Sequence, residues 1–367
     1  MEKINWISNV RVFALIGVVL LHATCGLLYD FSVPPNAYWW IGNVYDSIVR
    51  CCVPLFVMIT GALLLSKEIE LKPFFQKRFI RILIPFLFWS FAYILSEAYL
   101  SSLQESTNFF TNLWHSNFVT RLFKDEISVH LWYVYMLIGL LLFIPILNKW
   151  IKHCTEKEIL YFLGIWLISI TVGNQLVENY INEYLKLAHF SGYAGCLVLG
   201  YYLANAEKYK ISSLCINNLR LKTKKTNAAL CIFNKVNLFI LVLIALLITI
   251  FGTYFVSIKA GKLIQLFYIY LMPNVLLAAA GVFLLIKSCK LTNKTFVKII
   301  GFLDKYSYGI YLVHVLVLFH LERFGINAHL IYPLIGIPII TILCVGISAG
   351  IVFVVNKLPF VGKYISG

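Results

Sequence analysis

Apolar residues run along this chain in long unbroken stretches, and polar residues gather in short segments between them. Runs of about 20 residues, enough for a helix to cross a hydrocarbon core of roughly 30 Å, recur from one end to the other. They predict spanning helices near 9–28, 45–65, 79–100, 130–147, 159–177, 188–205, 237–256, 264–286, 305–321 and 332–354. Stretches such as LFILVLIALLITIFGTYFV lack the polar alternation of a barrel strand, so a β-barrel is excluded. The expected fold is all-α: a polytopic integral membrane protein of about ten transmembrane helices.

Composition agrees. Sixty per cent (60%) of the residues are hydrophobic and 13% charged, with a mean hydropathy of +0.84; soluble domains are about 45–50% apolar and about 25% charged. With both termini in the cytoplasm, most of the 31 Lys and Arg fall on the inner side while the acids divide nearly evenly, as the positive-inside rule requires. The basic inner face attracts anionic headgroups, and it would also gather a polyanionic cytosolic donor. The expected location is the cell (inner) membrane.

The first span carries Arg11 and His22 and lacks a small-residue cleavage site before Asp30, so it reads as a permanent helix. Neither the inner loop 206–236 nor the outer loop 101–129 is long enough for a domain of its own. Residues 1–367 therefore read as one membrane domain. The inner loop is basic and Asn-rich, which suits a linker lying on the membrane, and nothing points to a nucleic-acid partner. Nine cysteines without a CxxC read as packing residues, and no metal is expected.

Titratable residues inside spans are costly and therefore informative. Arg11 and His22 lie eleven positions apart, which closes to within about 20° of three helical turns and places them on one face, roughly 16 Å apart. Arg11 sits near the inner interface and His22 near or beyond the middle of the bilayer; snorkelling and helix packing account for them equally well. Lys77, Arg78 and Arg81 gather at the inner start of the third span, where two arginines three apart can grip phosphates as readily as anchor the helix. His314 follows Ser307, Tyr308, Gly309 and Tyr311 in the ninth span, at a depth from the inner side similar to that of His22, although packing is the simpler account. Glu97 falls near the outer headgroups, Asp46 and Arg50 read as an ion pair, and His130 and Trp132 belong to an aromatic outer belt. Met272, Pro273 and Asn274 read as a proline kink in the eighth span.

These residues carry a resemblance to the acyltransferase-3 family of integral-membrane O-acyltransferases. NVRVFALIGVVLLHAT supplies a basic residue and a histidine with ten residues between them in the first helix. PLFVMITGALLL is similar to the family's second helix, with Thr60 in place of the usual serine beside Gly61. Arg78 and Arg81 match a basic RxxR element, His130 to Trp132 an HLW start, and Gly200 to Leu203 and SYGIYLVH further family segments. The match resembles stand-alone members that modify surface polysaccharides.

The resemblance implies an acyl-CoA donor, usually acetyl-CoA, and a hydroxyl acceptor on a cell-surface polysaccharide or lipid-linked glycan precursor. Arg78, Arg81, Lys77 and Arg11 are then expected to hold coenzyme A phosphates. His22 is expected to act as general base or acyl carrier, and His314, Tyr308 and Tyr311 as orienting groups or oxyanion donors. Glu97, His130 and Trp132 are candidates for acceptor contact. A polar path through a helix bundle also suits a non-enzymatic polysaccharide exporter or flippase, which is the alternative.

Overall fold

The computed structural model describes residues 5–172, 192–206, 226–289 and 291–367. The described residues are helical, with no strand among them, and 8 of their segments are long and apolar enough to cross a membrane: Trp6–Tyr29, Ala37–Leu64, Leu71–Gln104, Trp132–His153, Lys235–Ala260, Leu266–Ser288, Lys294–Arg323 and Pro333–Asn356. The fifth and sixth expected spans fall on α8, Glu156–Val172, and α9, Ala194–Ala204. The described part of each is shorter than a full crossing, and residues 173–177 and 188–191 of the expected ranges lie outside the described residues.

The helices form two compact units, residues 1–68 with 144–304 and residues 69–143 with 305–367. In the first unit α1 (Asn5–Tyr29) packs against α2 (Ala37–Val49) and α3 (Cys52–Leu64). The expected second span starts eight residues early, at Ala37, and is made of two helices with Arg50 and Cys51 between them. Asn36 caps α2 by accepting the Trp39 amide at 2.8 Å, and that cap sets where the helix begins.

Two glycines fix the register of α1 against α2 and α3. A Cβ on Gly17 would lie 3.2 Å from Cys52 Cβ and 3.3 Å from Val49 Cβ, and one on Gly42 would lie 3.0 Å from Leu27 Cβ. The helices therefore run antiparallel, residue 17 beside 49–52 and residue 27 beside 42. Closer still is the crossing of α3 with α9, where a Cβ on Gly61 would sit 1.9 Å from the Leu197 carbonyl oxygen and one on Gly200 would sit 2.1 Å from that of Met58. The glycines of the ITGALL and GYYL segments are thus contact points between two backbones, the small-residue packing that membrane helices use.

The unit is completed by α10 (Thr226–Ala260), the 3-10 turn η1 (Leu266–Tyr268) and α11 (Pro273–Ser288). Pro273 is the first residue of α11, with Met272 as its extended N-cap. The expected kink is therefore a helix start, where the missing amide of proline costs nothing. Trp39, Leu28 and Tyr268 form a fully buried aromatic cluster that ties η1 to α1 and α2.

The second unit holds α4 (Leu71–Gln104), the short α5 (Phe109–His115) and α6 (Phe118–Phe123), the start of α7 (Trp132–His153), most of α12 (Lys294–Arg323), α13 (Pro333–Asn356) and the terminal turn α14 (Gly362–Ile365). In α12, Gly309 of the SYGIYLVH segment again marks a close approach: a Cβ there would meet the Ser366 carbonyl oxygen at 2.0 Å. Trp89 of α4 donates its indole N–H to Ile365 O at 3.1 Å, holding the same terminal turn.

Candidate functional site

In the first unit His22 is half-buried on α1. The Gly17 and Gly42 contacts place it level with residues 46–50 across the helix pair. Asp46 is fully buried there and Arg50 nearly so. The Asp46 carboxylate accepts from Arg50 Nε and, at 3.0 Å, from Nη2. This is the side-on bidentate geometry that guanidinium and carboxylate favour. The guanidinium lies over the Tyr268 ring at 4.4 Å and near the Tyr270 ring at 5.6 Å. Tyr268 donates its hydroxyl to Asn43 Oδ1, and Asn43 donates to Ile250 O at 3.2 Å. Asp46 and Arg50 form the ion pair the sequence suggests; its burial and the tyrosines over it are visible only in the structure.

Arg11, at the opposite end of α1, is ion-paired with Asp304, which also accepts from Ser8 Oγ at 2.8 Å. Asp304 is nearly buried, its side chain 6% exposed against 26% for Arg11. Sequence reasoning passed over Asp304. The available signal was a lone acid three residues before the SYGIYLVH segment, a position that needs a cation once it enters apolar surroundings.

The second unit holds the other candidates. On α4, Lys77 and Arg81 are exposed and Arg78 is half-buried. Among the described residues none of the three is paired with a carboxylate, whereas Arg11, Arg50 and Arg121 are. Tyr308 donates its hydroxyl to Ile82 O at 2.9 Å, fixing α4 immediately after Arg81. His314 is completely buried, its ring 4.9 Å from that of His130 in an edge-to-face contact. His130 engages both ring nitrogens, Nδ1 with Ser128 Oγ at 3.0 Å and Nε2 with Leu312 O at 3.3 Å. A carbonyl only accepts, so Nε2 carries the proton and the serine hydroxyl donates to Nδ1. Tyr311 donates to His130 O, and Cys344 Sγ donates to His314 O at 3.3 Å. These bonds tie α4 and α13 to α12 and hold the residues just before α7 against it.

Glu97 is exposed and paired with Arg121 at 2.8 Å. It borders a cleft of about 300 Å³ that is also lined by Tyr93, Ser96, Ser101, Gln104 and Ser128. Trp132, half-buried, begins α7. His22 belongs to the first unit and the basic RxxR segment to the second.

Comparison with known proteins gives one assignment. Residues 4–355 match the family described as acyltransferase domain, the third such family. No curated protein and no solved structure matches the chain.

Proposed function

The chain belongs to the acyltransferase-3 family and is a multi-pass membrane protein; on that premise we propose that it moves an acetyl group from cytosolic acetyl-CoA to a hydroxyl of a cell-surface polysaccharide or lipid-linked glycan precursor. The observation that supports the donor assignment is that, among the described residues, no carboxylate pairs with Arg78, Arg81 or Lys77. Two guanidiniums three residues apart suit the several phosphates of coenzyme A. Arg11, committed to Asp304, is assigned to holding α1 in place.

His22 is the proton carrier. Its imidazole takes the proton of the acceptor hydroxyl as the oxygen bonds to the thioester carbon; the C–S bond then breaks and the leaving thiolate takes that proton back from the imidazolium. Histidine suits this work because its ordinary pKa lies near neutral pH. Glu97, at the border of its cleft, is assigned to acceptor contact. Tyr308 positions the RxxR segment, and His130, Trp132, Tyr311 and His314 support the helices around it. The protein resides in the cell (inner) membrane with both termini in the cytoplasm.

The test is acetyl content of the surface glycan, measured by mass spectrometry in cells carrying wild-type protein or His22→Ala. Loss of acetyl groups with glycan export intact is the expected result. Retained acetylation with lost export overturns the reading in favour of an exporter.

A further inference from the structure

The ion pair beside His22 is unusual in its position. Bringing two charges out of water costs several kcal/mol each, and a buried pair adds little net stability over apolar residues of the same size. Packing alone does not account for Asp46 and Arg50. Their arrangement has a specific consequence. Asp46 occupies Nε and Nη2, so the third nitrogen, Nη1, has no protein acceptor among the described residues. The guanidinium is held by the carboxylate on its edge and lies over the Tyr268 ring, with the Tyr270 ring nearby. Tyr268 is itself tied to Asn43, and Asn43 to the α10 backbone. The glycine contacts of α1 with α2 and α3 set this fixed cation at the level of His22.

We propose that Arg50 is a catalytic residue, the group whose free Nη1 stabilises the oxyanion formed when the acceptor oxygen adds to the thioester carbon beside His22. The proposal rests on the role given to His22 above. In the addition step the C=O π electrons move onto oxygen, the O–C bond forms, and the hydroxyl proton passes to His22. In the collapse step those electrons return, the C–S bond breaks, and the thiolate leaves with the proton. A preorganised cation in a site of low dielectric lowers the energy of the charged intermediate without reorganising at the moment of reaction. Asp46 is a positioning residue: it aims the guanidinium, and its charge balances the pair in the absence of substrate.

The experiment uses native membrane vesicles containing the full chain and its own acceptor, with radiolabelled acetyl-CoA as the donor probe. Label entering the glycan fraction gives an apparent kcat and a donor KM per folded protein, and the melting midpoint of the extracted protein reports integrity. The paired variant Asp46→Asn/Arg50→Gln keeps shape, hydrogen bonding and neutrality but removes the cation. Its kcat is expected to fall about 10²–10³-fold, the loss typical of one oxyanion donor, with donor KM and midpoint held. An unchanged kcat, or a raised KM at constant kcat, overturns the assignment. If the pair fails to fold, Arg50→Lys decides, since it keeps the charge but loses the planar fork: a folded protein with kcat reduced tenfold or more supports the assignment, and wild-type kcat overturns it. His22→Gln separates the two readings. If it is inactive while the paired variant keeps its rate, the Arg50 role alone falls; if His22→Gln transfers at the wild-type rate, the underlying function falls.

Discussion

Arg11 is ion-paired with Asp304 across 293 positions of sequence, and the same carboxylate accepts from Ser8 one turn earlier on α1. The basic residue of the first helix therefore ties α1 to the first part of α12.

Removing one member of that pair strands the other. Arg11→Ala leaves the Asp304 carboxylate nearly buried without its cation, and a loss of about 2–4 kcal/mol is expected, somewhat below a fully buried pair because Arg11 is partly exposed. The double variant Arg11→Ala/Asp304→Ala should recover part of it. Denaturation of the detergent-extracted protein measures the coupling, and additive single effects would rule out the pair as a stabilising unit.

Close backbone approach makes Gly61, Gly200 and Gly309 intolerant of a methyl group. Gly200→Ala forces α3 and α9 apart and should cost about 1–3 kcal/mol, the range for overpacking. Gly164→Ala, on α8 with open space around its would-be Cβ, is the control. There the helix propensity of alanine should stabilise by up to about 1 kcal/mol. Thermal midpoints of the three close-contact variants against that control decide it.

Replacing Arg78 and Arg81 by glutamine should weaken donor use without altering the chemical step. Each charge-assisted hydrogen bond contributes about 1.5–3 kcal/mol, so donor KM is expected to rise roughly tenfold or more per arginine at constant kcat. Because the interaction is ionic, wild-type KM should also rise with salt and the variants' KM should rise less. A salt-independent KM in the wild type would remove the phosphate-binding role.

Asp125 offers a pH test away from the spans. Its carboxyl is raised above the usual carboxylate range by desolvation, and Oδ1 is buried without a hydrogen-bond partner among the described residues. A raised acid binds its proton more tightly when folded, so its ionisation destabilises the fold as pH climbs from the ordinary value of about 4 through the raised one. Asp125→Asn should therefore raise the melting midpoint at pH 7, with the gain vanishing toward pH 4. Residue 125 also adopts a left-handed conformation, φ +55°, which asparagine tolerates. A gain independent of pH would assign the effect to the backbone alone.

Helix content, membrane residence and most span positions were legible in sequence because hydropathy is a local property, and about 20 apolar residues in a row have one inexpensive fate. The family motifs were equally legible, since Arg11, His22, Gly61, Arg78, Arg81, Gly200 and Gly309 keep fixed local spacing. What their side chains do was not. The kink expected at Pro273 became a helix start, since the choice depends on what η1 packs against.

Local pattern determined that Arg11 and His22 share one helix face, that α4 begins with a basic cluster and that Asp46 and Arg50 can pair at helical spacing. Tertiary structure alone decided that Asp304 answers Arg11, that Tyr268 covers Arg50 and that His130 and His314 meet edge to face. The reason is physical: a helix satisfies its backbone within itself, so its position is written in neighbouring residues. The partner of a buried charge is set by which distant helix lies beside it, and local spacing carries no record of that.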